Sequence, residues 1–263
     1  MINSTRTISS FDFNMNTVNI VRKEYGNCIF FRSLNPKINL DTKIYRYIPL
    51  KYLYDLIDTQ KLYISNRKNF SDISEITGEK KFIPTPRLQF PVKPASSWKN
   101  KRINQENERL IKATLDLCIS CWSAEEIDNQ EPYERFLMWK AYGYPQISCR
   151  IGSTIRQMIE QLDIHYDIIV SDVSYNEREC SIPDKITFNK NKFYQDEKEV
   201  RLVVIQNNLP YIFASIHDVR KLINEITLSP FIDPHTEYSI LHSLKDRYPH
   251  FSSIIKQSLI MEY

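Results

Sequence analysis

Apolar and polar positions along the chain recur with two different periods. Ile44-Tyr45-Arg46-Tyr47-Ile48 alternates, is rich in strand formers and predicts a strand that Pro49 ends. Leu50, Leu53, Tyr54 and Ile57 then recur at helical spacing and predict a short amphipathic helix. Lys61 to Ser65 predicts a second strand. Residues 66 to 98 lose all periodicity and hold Pro84, Pro86, Pro91 and Pro94, the pattern of a long loop insertion. A charged helix is expected from Asn100 to Asp116, a strand from Leu117 to Ser123, and a helix from Pro132 to Tyr142. Gln146 to Ile151 reads as a strand, and Ser153 reads as the N-cap of a helix running to Leu162. Further strands are expected at Asp167 to Tyr175, Glu199 to Gln206, Glu225 to Leu228 and Ser253 to Leu259, with a helix from Pro234 to Arg247.

The strands are interrupted by single helices without a strict βαβ rhythm. The expected class is therefore α+β, a single domain over residues 41–263 with a mixed sheet and peripheral helices. Residues 1–40 have weak periodicity and read as an appended N-terminal segment. The length, 263 residues, is ample for a real core.

Composition changes this picture at one point. There are 4 glycines, Gly26, Gly78, Gly143 and Gly152, and no two are close together. A dinucleotide fingerprint, a phosphate-cradling P-loop and a kinase glycine lid all need clustered glycines, so these are excluded. A nucleotide site in this chain must grip with side chains. The net charge of +3 is too mild to demand a nucleic-acid partner or to forbid one. No apolar run reaches membrane-spanning length and the start carries no apolar leader, so a cytoplasmic protein without a membrane role is expected. Five cysteines, including Cys118-Ile-Ser-Cys121 inside a strand pattern, read as reduced, inert thiols. The five histidines show no metal-ligand spacing, and no resident metal is expected.

The densest chemistry is Asp196-Glu197-Lys198-Glu199 at the head of an apolar strand. On an extended backbone Glu197 and Glu199 would face the same side. Arg46 lies inside an aromatic strand and needs an anionic partner or ligand. Ser120 and Ser123 flank Cys121-Trp122. The order Arg, Ser, Glu-x-Glu on successive strands resembles an ADP-ribosyltransferase of the Arg-Ser-Glu type. That resemblance implies a split-sheet core and NAD as substrate. It implies Arg46, Tyr47, Ser120 and Trp122 as NAD-binding residues, with Trp139 a further stacking candidate. It also implies Glu199 as catalytic carboxylate and Glu197 as its acceptor-side partner. The bond to nicotinamide would break through an oxocarbenium-like state.

Two rival readings use the same residues. Pro183-Asp184, followed by Asp196-Glu197-Lys198, satisfies the PD-(D/E)xK pattern of magnesium-dependent nucleases. Alternatively Glu197, Glu199 and Arg201 form a structural ion-pair network in a non-enzymatic binding module of a defence system.

A wider set of motifs resembles a bacterial domain family catalogued as being of unknown function, number twenty-nine seventy-one. They are Tyr45-Arg46-Tyr47, Leu62-Tyr-Ile-Ser65, Phe70-Ser-Asp72-Ile-Ser-Glu75, Cys121-Trp-Ser123, Met138-Trp139 with Tyr142, Val173-Ser-Tyr175, Glu197-Lys-Glu199-Val-Arg201 and Ile226-Thr-Leu-Ser-Pro230. They span about residues 43 to 260. The family's Asn-Asp-Pro-Phe-Glu is reduced here to Ser71 through Glu75, and Val200 replaces an aromatic residue. The resemblance implies a toxin or phage-defence effector acting on an RNA, DNA or protein acceptor, with an antitoxin or defence-system partner.

Overall fold

The computed structural model describes residues 19–69, 116–125, 135–163, 165–175, 187–206 and 209–260, together with Gln105, Glu108 and Arg109. The strands are β1 (Asn19–Glu24), β2 (Asn27–Arg32), β3 (Lys43–Pro49), β4 (Lys61–Asn66), β5 (Cys118–Ala124), β6 (Ser148–Thr154), β7 (Ile168–Asp172), β8 (Glu199–Val204), β9 (Tyr211–Ser215), β10 (Glu225–Leu228) and β11 (Ile255–Lys256). The helices are α1 (Leu50–Thr59), α2 (Ile155–Gln161), α3 (Val219–Leu222) and α4 (Pro234–Arg247). A short α-helical turn, Phe136–Met138, continues as a π-helical stretch, Trp139–Gly143.

Among the described residues eleven strands form one mixed sheet, nine of them in the order β1-β2-β7-β8-β5-β3-β6-β10-β11, with β4 branching from β5 and carrying β9, and the class is α+β. Only the β2–β7 and β10–β11 pairs are parallel. Leu50, Leu53 and Leu56 of α1, Ile155, Met158 and Ile159 of α2, and Leu244 of α4 bury one face of the sheet in a continuous apolar core. Ile44, Trp122, Ile151, Val200 and Leu202 supply the sheet's side of it. The opposite face has a smaller apolar cluster around Ile119, Ile169 and Val203. Toward β3 and β6 that face turns polar, with Tyr45, Tyr47, Ser123, Arg150, Glu199 and Arg201 on it.

The feature that shapes the molecule is a fork at β5. β3 and β4 are joined by α1 and both run antiparallel to β5, so they compete for one edge. They divide it. Ile44 and Tyr45 pair with Ala124 and Ser123, while Ser65 and Asn66 pair with Ile119 and Cys118. Between these pairings β3 and β4 diverge, leaving a gap between them along the middle of β5. β4 then carries β9 outward as a two-stranded ribbon.

Residues 19–32 are part of the sheet and not an appended segment. Tyr25 (φ 48°) and Gly26 (φ 87°) make the positive-φ turn that the twist of the β1–β2 hairpin requires. Ile29 and Phe30 of β2 are buried against β7 on the two faces. The helix expected from Ser153 starts one residue later. Thr154 is the cap, in a reciprocal capping box with Gln157. The expected strand at Ser253 to Leu259 reduces to Ile255–Lys256. The proline-rich stretch, the start of the helix expected from Pro132, and Asp184 lie outside the described residues, as does most of the charged helix expected from Asn100.

Candidate active site

The carboxylates stand where a 3-10 helix, Lys192–Glu197, runs into β8. Asn191 caps that helix by accepting from the Phe193 amide (3.1 Å). Lys198 then takes a left-handed conformation (φ 46°), so Glu197 and Glu199 are not two steps along one extended strand. The turn nevertheless leaves them around a common cation. Lys190 Nζ is 2.6 Å from Glu197 Oε2 and 3.4 Å from Glu199 Oε2.

The two carboxylates have different tasks. Glu199 is buried, and Arg201, 1% exposed, grips it with Nε on Oε1 (2.8 Å) and Nη2 on Oε2 (3.0 Å). Burial pushes the Glu199 pKa up, but Arg201, then Lys190 and the Cys121 thiol, outweigh it and hold it at about 2. Its backbone amide donates to Tyr175 Oη (2.8 Å). Glu197 is 17% exposed and its carboxylate has no arginine partner among the described residues. It receives the Tyr142 hydroxyl on Oε1 (3.1 Å) and Lys190 on Oε2. Burial, helped by the neighbouring Glu199 charge, raises the Glu197 pKa above 4.5 against the pull of Lys190. Paired carboxylates pushed apart in this way are the usual mark of divided acid–base roles.

β5 braces this turn from the same face. Ser123 is opposite Glu199 in the ladder, and its hydroxyl donates to the Glu197 carbonyl (2.6 Å). Arg135 donates to Ser123 Oγ (2.8 Å), to the Asp196 carbonyl (2.7 Å) and to the Ala124 carbonyl (2.8 Å), which rivets the acidic turn to the end of β5.

Arg46 occupies the fork. Its Nη1 donates to the Tyr63 carbonyl of β4 (3.2 Å), and it has no carboxylate partner among the described residues. Burial lowers its pKa, opposed by nearby Cys121 and Tyr63. In the ladder Arg46 is opposite Ile151 and lies between Ile44 and Ile48, so it leaves β3 on the helix-covered face, away from Glu199, and its guanidinium reaches the fork at the Tyr63 carbonyl near Cys121. Tyr47 leans edge-on against buried Trp139, with centroids 4.8 Å apart. It also meets Arg150 and Arg135.

Two expected ligand-binding residues are elsewhere. Ser120 is opposite Leu202, and Trp122 is opposite Val200, so both face the helix-covered core. The indole Nε1 donates to Ser120 Oγ (3.0 Å), and both side chains are closed off from solvent. Ladder parity explains this: the odd residues of β5, Cys121 and Ser123, share the face of Glu199. The sequence offered Ser123 as a flanking candidate, but not Lys190, Arg135 or Tyr142.

The nuclease reading fits poorly. Asp196 is exposed on the 3-10 helix, and Lys198 is in a left-handed turn and not on a strand. The described residues do bring Glu24, Asp163 and His217 together, their ligand atoms within 4.8 Å of one another. A cation already stands there: Arg22 Nη2 is 2.8 Å from Glu24 Oε1 and 3.1 Å from His217 Nε2. No helix among the described residues is long and apolar enough to cross a membrane. No family model, no curated protein and no solved structure matches the chain.

Proposed function

We propose that the chain is an NAD-dependent ADP-ribosyltransferase-like enzyme, a toxin or phage-defence effector, working in the forked sheet with Glu197 in place of Glu199 as the catalytic carboxylate. The observation that carries this reading is that Cys121 interacts with two groups: Arg46, whose guanidinium enters the fork from the core face with no carboxylate partner among the described residues, and the carboxylate cluster at the start of β8. A guanidinium suits a diphosphate by its planar, two-pronged geometry, so Arg46 would hold NAD by its phosphates. Glu197 would accept from a ribose hydroxyl and stabilise positive charge as the bond from C1′ to nicotinamide breaks. Nicotinamide leaves with the bonding electron pair. The acceptor's nucleophile then bonds C1′ and gives its proton to a carboxylate whose raised pKa suits that task. Glu199, Arg201, Ser123 and Arg135 are positioning residues that fix the turn carrying Glu197.

The test is label transfer from radiolabelled NAD to the nucleic acids and proteins of a bacterial lysate, with and without EDTA. Glu197→Gln and Arg46→Ala should each lose transfer by at least about 100-fold, the scale of one acid–base or electrostatic contribution. Transfer by the parent chain should fall on acidification, with a half-point above 4.5, because protonation removes the charge on Glu197. Magnesium-dependent cleavage of nucleic acid without NAD would overturn the proposal. The bidentate Glu199–Arg201 pair favours a second reading, a binding module with a structural ion-pair network. Absence of transfer to every fraction, with the fold intact, would select it.

A further inference from the structure

The β4–β9 ribbon buries one face and displays the other. Leu62, Ile64, Ile212 and Ala214 enter the core beneath α1 and α2. On the outer face Tyr63, Tyr211 and Phe213 remain 41%, 47% and 54% exposed. They touch one another as a continuous triangle. Centroid separations are 5.7 Å for Tyr63–Tyr211, 5.6 Å for Tyr63–Phe213 and 5.3 Å for Tyr211–Phe213. Three large rings placed side by side in water are unusual for a surface that binds nothing. Tyr63 and Phe213 are directly opposed in the ladder and as a cross-strand pair add to the ribbon's stability, yet all three rings stay open to water.

We propose that this triangle is a stacking platform for the bases of single-stranded nucleic acid. Every base presents a π face, and exposed aromatic residues on a sheet bind successive bases by stacking. The charges favour this occupant. Neither strand of the ribbon carries an acidic residue, and exposed Lys61 is on the same face, two residues before Tyr63. Lys68 follows at the ribbon's other end, paired with Asp116. The Asn69 amide ties this end of the ribbon together by donating to Ser65 Oγ (3.4 Å) and to the Pro210 carbonyl (3.2 Å). The platform also adjoins the fork, since Arg46 donates to the backbone carbonyl of Tyr63. As the identity of an acceptor, a strand of RNA or DNA rests on the transferase reading. As a binding surface, the platform stands without it.

Fluorescence anisotropy on the full chain, without NAD, tests the platform with a labelled uridine oligomer of about 12 nucleotides, a length that such surfaces accommodate. A duplex of the same length serves as the comparison. The parent chain should bind the single strand more tightly than the duplex. Tyr63→Ser with Phe213→Ser should weaken binding at least about tenfold, and Phe213→Tyr should retain it. Lys61→Ser should reduce the dependence of log affinity on log salt by about 0.7, one phosphate contact. Thermal unfolding of each variant shows that the outward substitutions leave the fold in place. Absence of binding at about 100 µM chain, equal binding to duplex, or equal binding by the double serine variant overturns the proposal. So does a dimer of the parent chain that the double variant abolishes while oligomer binding stays absent, since the occupant is then a second copy. Label transfer measured in parallel separates the two readings: binding without transfer defeats the enzyme and keeps the platform, and transfer without binding does the reverse.

Discussion

Glu197 and Glu199 are two positions apart, yet Arg201 commits only one of them. Arg201 is shielded from water and its side chain also donates to the Thr187 carbonyl (2.8 Å). Removing the Glu199 charge therefore strands a buried cation. Glu199→Gln should lower unfolding free energy by about 3–5 kcal/mol in urea, whereas Glu197→Gln should cost about 1 kcal/mol. Equal losses would show that the two carboxylates share the ion pair. The same asymmetry sets a pH window. The Glu199 pKa is depressed on folding, so its stabilisation is complete above the ordinary 4.5 and is lost as pH falls toward about 2. An Arg201→Met, Glu199→Gln double variant should lose this acid sensitivity. The spacing of the acidic residues was visible in the sequence, and so was Arg201 as a partner. The left-handed Lys198 was not, because a lysine gives no signal for positive φ. Ser120 was misplaced for a related reason: a serine flanking Cys121-Trp122 on either side looks equivalent until the ladder assigns each a face.

Among the elements, β3, β4, β8 and β10 were legible because alternation or a continuous apolar run between breakers is a strong strand signal. β1, β2 and β9 were not. β1 is a largely exposed edge strand with no apolar face. β2 is buried on both faces, which erases alternation. β9, Tyr-Ile-Phe-Ala-Ser, puts its largest rings outside and its smaller Ile212 and Ala214 inside, so the apolar pattern is filled on both sides. The ends of α2 and α4 were read to within a residue or two, whereas the short α3 was not foreseen. At α2 the reciprocal Thr154–Gln157 bonds (3.1 and 3.0 Å) satisfy two amides that the first turn leaves open. Thr154→Ala should cost about 1 kcal/mol by chemical denaturation, and Thr154→Ser should restore most of it. No loss in the alanine variant would mean that packing of Ile155, Met158 and Ile159 alone holds the helix start.

For the whole molecule, the sequence led to an α+β domain with a mixed sheet, and the structure gives that class with residues 19–32 inside the sheet. The fork was implied only by resemblance, because strand competition for a shared edge has no local signature. It depends on β3 and β4 being parallel, which the α1 crossover dictates, and on β5 being too short for both. Gly152 shows a similar long-range demand. A Cβ there would come within 2.9 Å of Glu225 Cβ and 3.1 Å of the Tyr45 ring. The few glycines that the chain does use include one that lets β3 and β10 close over β6.

The fork has a consequence for motion. β4 is zipped to β5 by two residue pairs, whereas β8 is zipped to it by six. The ribbon is also held by its apolar underside, Leu62, Ile64, Ile212 and Ala214, and by scattered hydrogen bonds such as the Arg67 amide to the Leu117 carbonyl (3.0 Å) and the Asp163 amide to the Ser215 carbonyl (2.9 Å). Amide hydrogen exchange should register this as two tiers of protection: β5, β7 and β8 exchanging last, with the global unfolding event, and β4–β9 exchanging earlier through its own opening. Uniform protection across both would mean that the ribbon unfolds only with the rest. The fork thus has one side, β8, clamped to β5 along six pairs and another, β4, held by two, and the carbonyl that steadies Arg46 belongs to the side expected to open first.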